Sequence, residues 1–241
     1  MRVLVHPCPC DPPTDPPAAD EVHVWSIDLD RLPVGPDALA AALTPDELDR
    51  AARYRFGRVR DQFVACRGLL RRVLGGYVRT DPRSVPITYY QAGKPVLAGG
   101  TVEFNLTHTD GMALIAVGRR RLGVDIERVR VLPDADGLVE RFFSPAERAA
   151  YRAVAADRRP AAFLRGWTCK EAVIKAVGTG VLALDGFDVE LDPDRPPAVL
   201  ALRHPAFTET RWAIDAWEPA PGYVAALAVE GAERLRMGGA Q

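Results

Sequence analysis

The chain has 241 residues, a net charge of −1, and 48% apolar against 26% charged residues, the composition of a globular protein long enough to bury its own core. No apolar run approaches the roughly 18 residues of a membrane span, and residues 1–5 are too short for a secretory segment, so we expect a cytoplasmic protein with no membrane partner. The near-neutral charge also excludes a general nucleic-acid binder, although arginines crowd between Arg50 and Arg72.

Residues 7–17 are dense in Pro and Asp without periodicity, so residues 1–20 read as a flexible leader before a first strand over 21–28. Thr44-Pro45-Asp46-Glu47 has an N-cap, a proline at the first helical position and acids in the first turn, opening a helix through about residue 56. A longer amphipathic helix is predicted over 59–78, with Phe63, Leu70, Leu74 and Tyr77 on one face and Arg60, Arg67 and Arg71 on another. Residues 85–90, 104–107 and 113–117 are short β-prone stretches resembling an antiparallel meander. After the Arg119-Arg120-Arg121 link, residues 122–129 read as another strand. Ser144-Pro145-Ala146-Glu147 is a second capped start, residues 160–177 carry a third helical pattern ended by Gly178-Thr179-Gly180, and strands follow near 187–191, 211–216 and 224–229. Each half reads as capped helices followed by strands: two similar α+β lobes, 21–118 and 119–241. Cys8, Cys10, Cys66 and Cys169 lack C-x-x-C spacing, and we expect reduced thiols.

Among 31 basic residues, lysine occurs only at Lys94, Lys170 and Lys175. Arginine offers a planar fork and lysine a compact point charge, so a position that needs the point charge keeps its lysine. The three lysines are therefore candidate functional positions. Asp125 and Glu127, two apart in a strand, leave from the same face; paired carboxylates repel unless a cation lies between them, and hard oxygen donors suit Mg²⁺. Glu171 and Lys175, four apart on a helix, share one face. Alone they make an ordinary intrahelical pair, but together with Asp125 and Glu127 they make a metal–diphosphate site. Gly93-Lys94-Pro95 places a lysine on a stiff turn, and His108 stands between Thr107 and Thr109.

Gly93-Lys94-Pro95, Phe104-Asn105-Leu106-Thr107-His108-Thr109, Gly123-Val124-Asp125-Ile126-Glu127 and the run from Trp167 to Ala176, in this order, resemble the 4′-phosphopantetheinyl transferase superfamily, and within it the Sfp type. The resemblance implies an α+β fold of two α/β lobes related by pseudo-two-fold symmetry, with the active site in the cleft between them. The implied reaction is Mg²⁺-dependent transfer of 4′-phosphopantetheine from coenzyme A to a serine of an apo carrier protein by a monomeric enzyme. The implied metal ligands are Asp125, Glu127 and Glu171. Lys175 would contact coenzyme A phosphate, and Glu171 would accept the serine proton. Arg50, Gly93, Lys94, Pro95, His108, Thr109 and Asp125 complete the implied coenzyme A site. Glu47 stands where a relative can carry lysine, which leaves Arg50, Arg53, Arg60 and Arg67 as candidates for the 3′-phosphate. The rival readings are a non-catalytic coenzyme A or nucleotide binder, an arginine-rich nucleic-acid binder and another Mg²⁺-dependent diphosphate enzyme.

Overall fold

A computed structural model describes residues 1–238 other than 10, 12, 91, 92, 131, 209 and 210. Its first half runs β1 (Arg2–Pro7), β2 (Glu21–Asp28), α1 (Pro36–Ala41), α2 (Pro45–Ala52), α3 (Gly57–Val78), β3 (Ile87–Tyr89), β4 (Pro95–Leu97), β5 (Glu103–Thr109) and β6 (Met112–Gly118). The second runs β7 (Leu122–Arg128), α4 (Ala135–Phe142), α5 (Pro145–Ala153), α6 (Arg159–Val177), β8 (Phe187–Val189), β9 (Val199–Leu202), α7 (Pro205–Thr208), β10 (Trp212–Trp217), β11 (Tyr223–Glu230) and β12 (Arg236–Gly238). The order of elements from β2 to β6 recurs from β7 to β11, apart from the short α7. The fold is mixed α+β.

Two main sheets form, in the strand orders β12-β1-β2-β6-β5 and β10-β11-β7. Every pair in them is antiparallel except β1 with β2 and with β12. The alternation of each strand divides its residues between two cores. Val22 and Val24 of β2, Leu114 of β6, Val124 and Ile126 of β7 and Leu227 of β11 meet in one apolar layer between the sheets. On the outer faces α3 packs Leu70, Val73 and Leu74 against Ile27, Phe104 and Ile115, and α6 packs Val173 and Ala176 against Ile214, Ala226 and Ala228. The layers are therefore helix, sheet, sheet, helix.

The two capped starts have matching partners. At Thr44 and at Ser144 the cap and the glutamate three residues on form reciprocal capping boxes with proline in the first turn. Glu47 then accepts from Arg67 and, at 2.6 Å, from Arg71 of α3. Glu147 accepts from Lys170 of α6 at 2.7 and 2.8 Å. Each short helix is pinned to the long helix that follows it.

Four expectations need correction. Residues 2–7 of the expected leader form β1, held by six register pairs to β2. Strands β3 and β4 make a separate hairpin, so the meander is limited to β5 and β6. Arg67 and Arg71, expected on a face apart from the apolar residues of the helix, are themselves buried, on Glu47. Short α1, α4 and β9 lie where no element was expected. Cys66 and Cys169 are buried thiols pushed up to about 12 by burial, and Cys10 lies outside the described residues. Among those residues no helix is long and apolar enough to cross a membrane.

Candidate active site

The edge of the first sheet passes beside β7, where the buried Asn105 of β5 accepts the Val124 backbone N–H through Oδ1 at 2.9 Å. Two residues on, Thr107 donates through Oγ1 to Asp125 Oδ1 at 3.0 Å. From the other side α6 lies directly on β7. A Cβ at Gly123 would stand 2.1 Å from the Ala172 carbonyl oxygen and 2.4 Å from the Ala176 nitrogen, so glycine is what lets helix and strand approach this closely. Strand alternation then turns Asp125 and Glu127 to the same α6-facing side.

Lys175 reaches down from α6 and donates to Asp125 Oδ1 at 2.5 Å and to Thr107 Oγ1 at 3.0 Å. The ordinary intrahelical alternative is not what forms: among the described residues the salt-bridge partner of Lys175 is Asp125 across the strand. Asp125 is 4% exposed, and its Oδ2 is buried with no hydrogen-bond partner. Burial pushes its carboxyl above the ordinary aspartate range, against the pull of Lys175 and Thr107. Burial, and then the charge of Asp125, raise Glu127. Glu171 is raised first by burial; Lys175 opposes the rise, while Asp125 and Glu127 add to it. Three carboxylates thus feel one another on one face beside a single ammonium.

No three His, Cys, Asp or Glu side chains among the described residues are gathered closely enough to enclose a metal ion as they stand. The donor set nonetheless fits a hard cation. It offers carboxylate oxygens from Asp125, Glu127 and Glu171, and one of them is a buried oxygen still lacking a partner. A cavity of about 290 Å³ opens at Glu171 and Lys175, lined also by Gly93, Lys94, Pro95 and Gly180 among others.

The structure divides the other expected residues. Gly93, in the left-handed conformation at φ 80°, closes the β3–β4 turn with Pro95 beside it. Lys94 is turned inward: its ammonium donates to the carbonyls of Ala176 at 2.6 Å and Leu122 at 3.4 Å, and the residue also lines the cavity. His108 is solvent-accessible and Thr109 half-buried on β5; desolvation of the covered part of the ring, then the Lys175 charge, lower the His108 pKa. Arg50 stacks on Phe63, 5.2 Å from its ring centre. Of the other 3′-phosphate candidates, Arg67 is consumed by Glu47 and Tyr89, and Arg60 pairs with Asp61. Sequence reasoning named Thr107 only within its motif, and its bridge between Asp125 and Lys175 makes it a member of the site.

The family model for the 4′-phosphopantetheinyl transferase superfamily matches residues 121–228. The 4′-phosphopantetheinyl transferase HetI of Nostoc sp. (strain PCC 7120) is 38% identical over 225 residues, spanning 91% of this chain and 92% of the relative. This chain belongs to the 4′-phosphopantetheinyl transferase superfamily. A 4′-phosphopantetheinyl transferase of Bacillus subtilis is 28% identical over 72% of this chain and 78% of its own length, and the likeness places the chain with the Sfp type. A solved holo-(acyl-carrier-protein) synthase from Bacillus anthracis, in complex with CoA (3′,5′-ADP), is 24% identical over 46% of this chain and 96% of its own, with a TM-score of 0.37. As a phosphopantetheinyl transferase the chain is an enzyme, and it moves the phosphopantetheine arm of coenzyme A to a carrier protein.

Proposed function

We propose that this phosphopantetheinyl transferase is Mg²⁺-dependent and that Asp125, Glu127 and Glu171 hold the ion. The observation that carries the reading is the buried, unpartnered Oδ2 of Asp125, on a carboxylate whose charge raises the pKa of both Glu127 and Glu171. When bound, Mg²⁺ would neutralise diphosphate oxygens and polarise the phosphorus under attack.

The chain's own groups account for the rest. Lys175 stands in reach of both Asp125 and the cavity, so its ammonium moves from the carboxylate to a phosphate oxygen when coenzyme A enters. Thr107 keeps Asp125 oriented during that exchange through its hydrogen bond to Oδ1. The Gly93–Pro95 turn lies along the nucleotide, His108, Thr109 and Arg50 serve the 3′-phosphate, and Glu171 accepts the proton of the attacking carrier serine at a carboxylate oxygen. Phosphoryl transfer asks for alignment and charge neutralisation more than covalent help. A set of acids, one lysine and two threonine hydroxyls answers that need. Three acids turned to one face support an enzyme over a mere nucleotide binder, and the burial of Arg67 and Arg71 on Glu47 removes much of the basic surface a nucleic-acid binder would use.

We further propose that 21–118 and 119–241 are two lobes related by pseudo-two-fold symmetry. The recurring element order and the paired Glu47 and Glu147 latches support this. The enzyme would act as a cytoplasmic monomer on carrier domains of peptide or polyketide synthesis. Calorimetric titration of Mg²⁺ in the presence of coenzyme A tests the metal assignment. We expect binding by the wild type and at least tenfold weaker binding by folded Asp125→Asn and Glu171→Gln. Undiminished binding by both variants, or full transfer activity in excess chelator, would overturn it.

A further inference from the structure

Lys94 makes contacts unlike those of a substrate ligand. It enters from the β3–β4 hairpin of the first half, and its two acceptors lie in the second half, 28 and 82 residues away in sequence. One acceptor, the Ala176 carbonyl at 2.6 Å, belongs to the last turn of α6. Carbonyls there lack an intrahelical donor and carry the negative end of the helix dipole. The other, Leu122 O, is at the first residue of β7. The side chain is 8% exposed. Its stem passes over Gly178, where a Cβ would stand 3.3 Å from Lys94 Cδ and 3.4 Å from its Cβ. A compact ammonium on a narrow stem, with N–H bonds free to rotate toward both carbonyls, suits this slot, and a flat guanidinium does not.

We propose that Lys94 is a positioning residue: an internal cap that clamps the C-terminal end of α6 to the start of β7 and takes no part in binding phosphate. Ala176 directly follows Lys175, and Leu122 stands three residues before Asp125. The clamp therefore brackets the Asp125–Lys175 pair and ties both members to the Gly93–Pro95 turn. It also accounts for a lysine retained in a chain that otherwise writes its basic residues as arginine, with no ligand invoked. What is positioned rests on the proposed site, while the clamp itself does not.

Amine-specific acylation of the native enzyme, read by peptide mass spectrometry with and without coenzyme A, tests the assignment on unmutated protein. We expect Lys94 to be modified at least tenfold more slowly than the amino group of Met1, at a rate coenzyme A leaves unchanged, while Lys175 is slowed by coenzyme A. Modification of Lys94 at the Met1 rate, with protection by coenzyme A, would overturn the proposal. Absence of protection at Lys175 would count against the substrate site, leaving Lys94 judged by its own rate. In the free enzyme, Lys94→Met and Lys94→Arg should both speed amide exchange at residues 174–178 at least tenfold. A phosphate ligand would leave that exchange unchanged and would tolerate arginine.

Discussion

Glu47 and Glu147 occupy the same place in their capping boxes but meet different cations, and their titrations differ in sign. Burial alone would raise Glu47, yet hydrogen bonds from Arg71, the Thr44 amide and Arg67 outweigh it and hold its carboxyl below the ordinary range. A depressed carboxylate stabilises the fold above its unfolded pKa, about 4.3, and loses that contribution as pH falls through the lower folded value. We expect Glu47→Gln to cost about 3–5 kcal/mol at neutral pH by leaving two arginines without their carboxylate. Its deficit relative to wild type should shrink as pH falls below about 4, as urea unfolding at a series of pH values would measure. A deficit that grew on acidification would contradict this. At Glu147 burial dominates, raising the glutamate and lowering Lys170; Lys170→Met strands a buried carboxylate and should destabilise by a similar amount.

The same lysines show how far single residues could be read in the sequence. Scarcity marked Lys94, Lys170 and Lys175 as candidate functional positions, and the structure gives each ammonium specific tertiary acceptors. Scarcity could not separate an ammonium buried on carbonyls or on one glutamate from one that faces substrate, because all three demands favour a compact donor. Only the tertiary partners, up to 82 residues away, tell them apart. Asp125, Glu127 and Glu171 were legible because strand and helix periodicity fix their faces. For Lys175→Ala we expect weakened coenzyme A binding, and a binding isotherm equal to wild type would reduce Lys175 to a structural partner of Asp125.

At the scale of elements, the α6–β7 contact governs the site, and Gly123 sets its closeness. Gly123→Ala would force the Ala172 carbonyl off a 2.1 Å approach. Overpacking of this kind costs about 3 kcal/mol, or roughly 6–12 °C in Tm for a chain of this size. Thermal unfolding should show that loss, with activity falling further than stability because Lys175 and Asp125 are moved apart; an unchanged Tm would mean the helix yields freely. Elements with strong local signals were legible: β2 falls on the expected 21–28, and the Thr44 and Ser144 caps open α2 and α5. Those that depend on tertiary context were not. Strand β1 has an apolar run of only three residues, Val3 to Val5, beside a proline-rich stretch, and it becomes a strand because β2 and β12 pair with it on both sides. Helix α4 has no side-chain cap to announce it.

For the whole molecule, the helix–sheet–sheet–helix layering brings β5 of the first half beside β7 and α6 of the second. Thr107, Asp125 and Lys175 can meet only because both halves are present. The recurrence of capped helices followed by strands was legible in the sequence, but no residue repeat accompanies it, since the helix-facing strand positions differ between the halves, with Trp25 in one and Asp125 in the other. On the proposed assignment this single assembled site transfers 4′-phosphopantetheine. That assignment is tested most directly by intact-mass spectrometry of apo carrier proteins incubated with coenzyme A, Mg²⁺ and either wild type or Asp125→Ala. We expect one phosphopantetheine mass increment on the carrier serine with the wild type and none with the folded variant. No increment on any apo carrier with the wild type, or an equal increment with Asp125→Ala, would contradict it.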